Sequence, residues 1–232
     1  MKRFLTAALA ASLLATGIAQ AQNVEAELDA LTARVEKLEG SRAIKKLQRA
    51  FGYYVDRGLW GEAADLFSDD GTIEIGIDGV YGKARIAEYL RRLHGGQEGL
   101  IYGQLNEWVT LQPAIDMAAD GRSATARWRD LGMTGQYKQH AEWRDGIYEN
   151  AYVNDGGVWK IRSLRLQVNF VAPYEKGWAR LRSGQGLVRS EASKAFPPDR
   201  TPTVSSQSFP DMQVPPFQAN HPVTGRPVRT GP

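Results

Sequence analysis

Two carboxylates, Asp56 and Glu74, are the first candidates for proton chemistry. Asp56 directly follows the apolar stripe Ile44, Leu47, Phe51 and Val55, near a helix end. A carboxylate held in an apolar cavity has a raised pKa and exchanges protons near neutral pH. Glu74 lies between Ile73 and Ile75 in a segment of period two, so it faces away from both. Two carboxylates in different environments can divide the work of acid and base. Plainer readings stand beside these: Asp56 paired with Arg57 or capping a helix at Trp60, and Glu74 on an edge strand in solvent.

A second set falls on later strands. Arg127 and Arg129 share one strand face with Trp128 opposite. An arginine in an apolar pocket is a fixed cation suited to an enolate, phenolate or alkoxide. The alternative is a solvated basic stripe paired across the sheet with Glu142 or Glu149. Tyr148 and Asn150 share a face, with His140 and Glu142 on the same parity, and a phenol and a carboxamide can hold a substrate oxygen. Tyr148 and Tyr152 can equally be core aromatics. Six Trp, nine Tyr and seven Phe suit an aromatic-lined pocket, and Tyr53 and Tyr54 beside Asp56 are its nearest candidates.

Other chemistries lack their residues. There is no cysteine, which excludes disulfides, thiolate metal sites and thiol nucleophiles. The three histidines, His94, His140 and His221, have no metal spacing, so no metal is expected. Neither a GxGxxG nor a GxxxxGK[ST] run occurs, and no cofactor is expected. No Gly-x-Ser-x-Gly elbow supports a serine hydrolase. The 29 basic residues nearly balance 26 acidic ones. No nucleic-acid partner follows, and a small molecule is the expected one.

The elements that must position these groups follow from periodicity. Residues 41–55 read as a helix with Ser41 as N-cap, ended by Gly58; Trp60 to Phe67 forms a short one, stopped by turn chemistry at Ser68-Asp69-Asp70-Gly71. Thr72 to Ile77 reads as a strand and Ala84 to Leu93 as a helix. Long strands follow at Leu105 to Met117, Ser123 to Met133, His140 to Val153 and Val158 to Phe170, joined by glycine-bearing turns. Helices first and a curved sheet afterwards define an α+β architecture.

The ends differ in kind. Lys2 and Arg3 precede an apolar stretch to Ile18 and the small residues Ala19-Gln20-Ala21, the form of a cleaved export signal. At about 15 residues the stretch is short of the roughly 20 that span a bilayer. A periplasmic chain starting at Gln22 is expected, with 27 basic against 26 acidic residues and no stable membrane insertion. Residues 22–40 carry Val24, Leu28, Leu31, Val35 and Leu38 at 4-3-4-3 spacing, an amphipathic helix that docks on the domain or on a second subunit. Residues 41–180 form the domain. Residues 181–232 hold nine of the 11 prolines, which indicates an extended tail. Its Phe196, Phe209, Met212, Val214 and Phe217 favour an ordered arm, its prolines disorder. Covering the sheet and these groups predicts a homodimer or homotrimer.

Four words occur in order: Tyr54-Val55-Asp56-Arg57-Gly58-Leu59-Trp60, Ala64 through Glu74, Gly146-Ile147-Tyr148-Glu149-Asn150 and Gly157-Val158-Trp159-Lys160-Ile161. Together they resemble the SnoaL-like branch of the nuclear transport factor 2-like superfamily. The resemblance covers about Leu38 to Trp178. It implies a cone of N-terminal helices packed on a curved antiparallel sheet, with a cavity between them. Members include cofactor-free dehydratases, isomerases, cyclases, carbon-carbon lyases and domains without known chemistry. Dehydratase members place a pocket aspartate at Asp56 and two histidines near Gln104 or Asn106 and near Arg127; none of these three is histidine here. Gln104 and Asn106 thus become substrate-binding candidates and Arg127 a catalytic one. The tail with His221-Pro222-Val223-Thr224-Gly225-Arg226 resembles a subgroup that includes formaldehyde-releasing lyases of lignin-derived aromatic dimers. The implied activity is a cofactor-independent lyase, by retro-aldol cleavage or dehydration of a small hydroxylated aromatic substrate. In this reading Asp56, Glu74, Arg127 and Tyr148 do the chemistry, and Tyr53, Tyr54, Gln104, Asn106, Arg129, His140 and Asn150 bind. A non-catalytic ligand-binding or scaffold module is the alternative.

Overall fold

A single helix, α1 (Lys2–Asp56), runs through Gly40 and Ser41, where a break is expected. The computed structural model describes residues 2–205, 207–213, 215–217 and 220–228, with side chains from Gln22 onward, so the expected leader's side chains and Val214 fall outside the described residues. Gly40 is a packing notch instead of a stop. A Cβ there would lie 2.9 Å from Met117 Cε and 3.0 Å from Trp159 Cζ2. Glycine inside a helix costs about 1 kcal/mol, and here the close passage over the sheet offsets it. Gly52 repeats the device, since its Cβ would lie 2.9 Å from the Trp108 carbonyl oxygen.

After α2 (Trp60–Asp65), the chain forms β1 (Phe67–Ile75), β2 (Val80–Gly82), α3 (Lys83–Leu93) and the long strands β3 (Gln104–Met117), β4 (Ser123–Gln136), β5 (His140–Asp155) and β6 (Val158–Pro173). They make one curved sheet of order β2-β1-β6-β5-β4-β3. Ser68 to Gly71 is strand, with a register shift against β6 between Phe67 and Thr72 absorbing the turn-forming residues. The expected antiparallel sheet is mixed at one place, where β1 runs parallel to β6; every other pairing is antiparallel.

Ile44, Phe51 and Val55 of α1, Ile86, Tyr89 and Leu90 of α3, and Trp128, Tyr148, Tyr152, Leu164 and Leu166 of the sheet form the core. Within it, Gln48 Oε1 accepts from Tyr152 Oη at 2.8 Å and Asn150 Nδ2 at 3.0 Å, which ties helix to sheet, while the buried Gln48 Nε2 finds no partner among the described residues. Burial alternates along β4 with even numbers inward.

The tail lies along the molecule. Short α4 (Glu191–Ala195) is capped by Ser190. Asp78 accepts from the Ser190 N–H at 2.6 Å, Ser193 Oγ at 3.0 Å and Tyr89 Oη at 2.9 Å. Further on, Val80 and Arg200 form a β-bridge, and the Phe209 N–H donates to the Asn169 carbonyl at 2.7 Å. An ordered arm over the sheet is thus the form taken by Phe196, Phe209, Met212 and Phe217. Among the described residues, no helix is long and apolar enough to cross a membrane.

Candidate active site

Three cross-strand rows build one wall of a cavity of about 400 Å³. Trp108 pairs with Gly132 and Gly132 with Arg144; Asn106 pairs with Thr134 and Thr134 with Glu142; Gln104 pairs with Gln136 and Gln136 with His140. Successive rows lie two residues apart on each strand, so all three present their side chains on the same, concave face. Ile75 and Ile77 beyond β1, Leu93 and His94 after α3, Val168 and Val171 of β6, and Leu187 and Val188 of the tail close the other sides. The volume suits one small organic molecule, and the mixture of apolar walls with a few polar groups is that of a ligand site.

Arg144 is the fixed charge of this site. Its Nε and Nη2 donate to the two carboxylate oxygens of Asp130 at 2.7 and 3.1 Å, and its guanidinium carbon lies 4.0 Å from the Trp108 ring centroid. Burial opposes its charge, but the charge and hydrogen bonds of Asp130 outweigh that and hold its pKa above the ordinary value. Of five N–H donors, Asp130 takes two, leaving three for another acceptor. Glu142, one row outward, also lines the cavity; among the described residues its carboxylate has no ion pair or side-chain hydrogen bond. His94 is stacked 5.2 Å from the Trp60 ring and edge-on to Trp108. Burial, then the Arg144 charge, press its pKa down to about 3, so the imidazole is neutral, and its buried Nε2 has no partner among the described residues.

Residues 36–165 match the SnoaL-like domain family, more than half of the chain. The chain belongs to that SnoaL-like family. No curated protein sequence matches. Among solved structures, a Novosphingobium aromaticivorans protein assigned as a scytalone dehydratase is 19% identical at a TM-score of 0.54, over 68% of this chain and 99% of that one. A type 2 hexachlorocyclohexane dehydrochlorinase, LinA, is 18% identical at 0.52, over 60% of this chain and 92% of that one. A type 3 LinA from Novosphingobium barchaimii is 16% identical at 0.50, over 68% and 99%. At such identities these likenesses establish the shared fold.

This SnoaL-like cavity brings together Gln104, Asn106 and His140 of the expected residues. Asp56 is elsewhere. Its Oδ1 accepts the Trp108 backbone N–H at 2.7 Å, where α1 seals the free edge of β3; among the described residues it forms no ion pair with Arg57 and does not cap α2. Burial, opposed by that N–H, lifts its pKa to about 6. Glu74 faces the opposite side of the sheet, buried under the tail, where it accepts from Thr203 Oγ1 at 2.6 Å and the Val204 N–H at 3.2 Å. It is an anchor for the arm. Arg127 also faces outward: it pairs with Glu149, donates to the carbonyls of Pro215 and Pro216, and lies 4.4 Å from the Phe217 ring centroid. The expected pairing with Glu149 forms, but under the tail and not in solvent, because bulky Trp128 takes the inward position. Arg129 pairs with Asp145 outside.

Tyr148 is a core aromatic below Arg144; burial and then Asp130 raise its pKa well above the ordinary value. Asn150 belongs to the Gln48 network, Tyr54 packs on the core and Tyr53 is exposed. None of these lines the cavity. Sequence reading missed Arg144, Asp130, Trp108 and His94, and left Glu142 as a same-parity neighbour only. The signal for Arg144 was present: counting by twos from Tyr148 through Gly146 reaches it directly.

Proposed function

We propose that this SnoaL-like protein is a cofactor-independent lyase that cleaves a small hydroxylated aromatic substrate by proton transfer. One observation carries the reading. Glu142, a carboxylate unpaired among the described residues, and Arg144, a guanidinium with spare donors, stand two residues apart on one strand face of an open-mouthed cavity with a mixed polar and apolar lining. That spacing is about 7 Å between Cα atoms, room for a substrate oxygen to meet both side chains. Relatives by fold named as a dehydratase and dehydrochlorinases are consistent with elimination chemistry on this scaffold.

In the reaction so derived, Glu142 removes the proton from a substrate hydroxyl. The carbon bearing that hydroxyl becomes a carbonyl as its bond to the neighbouring carbon breaks. The electron pair of that bond forms a new double bond in the other fragment as a carbonyl conjugated with it opens, placing the charge on the carbonyl oxygen, which Arg144 faces. Glu142 then returns the proton to that fragment. Asn106 and Gln104 orient the substrate, and the neutral His94 supplies an acceptor or donor without competing for charge. Carbon-carbon cleavage is favoured over dehydration because the positions near Gln104 or Asn106 and Arg127, where dehydratase members place their two histidines, hold none here.

The test is incubation of the purified protein with a panel of hydroxylated aromatic compounds, without added cofactor, followed by mass spectrometry. Cleavage to two fragments is expected. Saturable binding with no product from any bound compound makes the protein a ligand-binding module instead.

A further inference from the structure

The first half of α1 carries an apolar stripe that the domain does not cover. Val24, Leu28, Leu31, Val35 and Leu38 are each between 49% and 68% exposed. Their 4-3-4-3 spacing fixes a heptad register, with Leu28 and Val35 at a and Val24, Leu31 and Leu38 at d. A solvated helix face has no use for such a repeat, and among the described residues nothing docks on it.

We propose that this stripe is the seam of a parallel, two-stranded coiled coil with a second copy of the same chain. The flanking charges fit a second copy. Arg34 at g faces Glu39 at e of the partner helix one half-heptad on, and symmetry makes this pair twice. Glu27 at g faces the uncharged Thr32 at e, so no like charges meet. A β-branched Val at a with Leu at the following d is the combination that favours two parallel strands. Two heptads alone are too short to form a stable helix, because nucleation is costly. Here the helix is already nucleated, since α1 continues without a break into residues buried in the core from Ile44 to Val55. Gly40 marks where the seam hands over to the domain, and the two domains sit side by side at that end.

Light scattering on the purified full chain at rising concentration measures this directly. A dimer is expected, and replacing both Leu28 and Leu31 by Glu is expected to give a monomer with an intact domain, because both positions are exposed within one chain. Arg34→Glu is expected to weaken the dimer and Arg34→Glu with Glu39→Arg to restore it. Since the chain has no cysteine, Leu28→Cys supplies one thiol, which a parallel pair brings opposite itself and oxidises to an interchain disulfide. A monomer at all concentrations, a dimer indifferent to the Leu28 and Leu31 changes, or charge rescue by Glu27→Arg in place of Glu39→Arg would overturn the proposal.

Discussion

The guanidinium of Arg144 occupies the space in which a side chain on Gly132 would lie. A Cβ on Gly132 would come within 2.9 Å of Arg144 Nε, Cζ and Nη2. Glycine at this point of β4 lets Arg144 cross the strand, reach Asp130 and stack on Trp108. Gly132→Ala is expected to cost about 1–3 kcal/mol through overpacking. The loss of activity should exceed the loss of folded protein, read as turnover against a thermal melt.

The Arg144 and Asp130 pair separates stability from chemistry. Arg144→Met strands a buried carboxylate and is expected to cost about 3–5 kcal/mol. Adding Asp130→Leu removes the stranded charge, so chemical denaturation should show most of that stability restored. Turnover should stay lost in the double variant, because nothing then faces the growing oxyanion.

Glu74 holds the tail and not the substrate. Glu74→Gln weakens its charge-assisted bonds to Thr203 and Val204, each worth about 1.5–3 kcal/mol. Hydrogen exchange at the Thr203 and Val204 amides should quicken, while turnover changes by less than severalfold.

Two groups give stability opposite dependences on pH. Asp56 has its pKa raised by burial from 3.8 to about 6, so the folded state binds that proton more tightly than the unfolded state. Its contribution therefore becomes less favourable as pH rises from about 4 to 6. His94 has its pKa depressed from 6.5 to about 3, so the unfolded chain takes up the proton first. Its contribution is full above pH 6.5 and is lost as pH falls toward 3. Melts across this range should show Asp56→Asn gaining on the wild type as pH rises from about 4 to 6. His94→Gln should gain on it as pH falls from 6.5.

The fold was legible in the sequence because periodicity and turn residues report which face each residue takes. The end of α1, α3 and the four long strands follow from it. Gly40 misled because its reason is a contact with Met117 and Trp159, far away in the chain. The site was legible by parity and illegible by position. Trp128 opposite Arg127 already said that Arg127 faces outward, since the larger apolar group takes the core. Positions carried over from relatives pointed to Arg127, whereas this chain places its cavity cation one strand along, at Arg144. Asp56 and Glu74 were misplaced for another reason: their partners, the Trp108 N–H on a free sheet edge and Thr203 on the returning tail, exist only once the chain has folded.

The most direct measurement compares turnover of one identified substrate by Glu142→Gln and Asp56→Asn, each normalised to folded protein. With Glu142 as the base, Glu142→Gln loses about 100-fold or more and Asp56→Asn stays within severalfold. A Glu142→Gln variant that keeps its activity, or an Asp56→Asn variant that loses it, would contradict the assignment of the chemistry to the Glu142 and Arg144 wall.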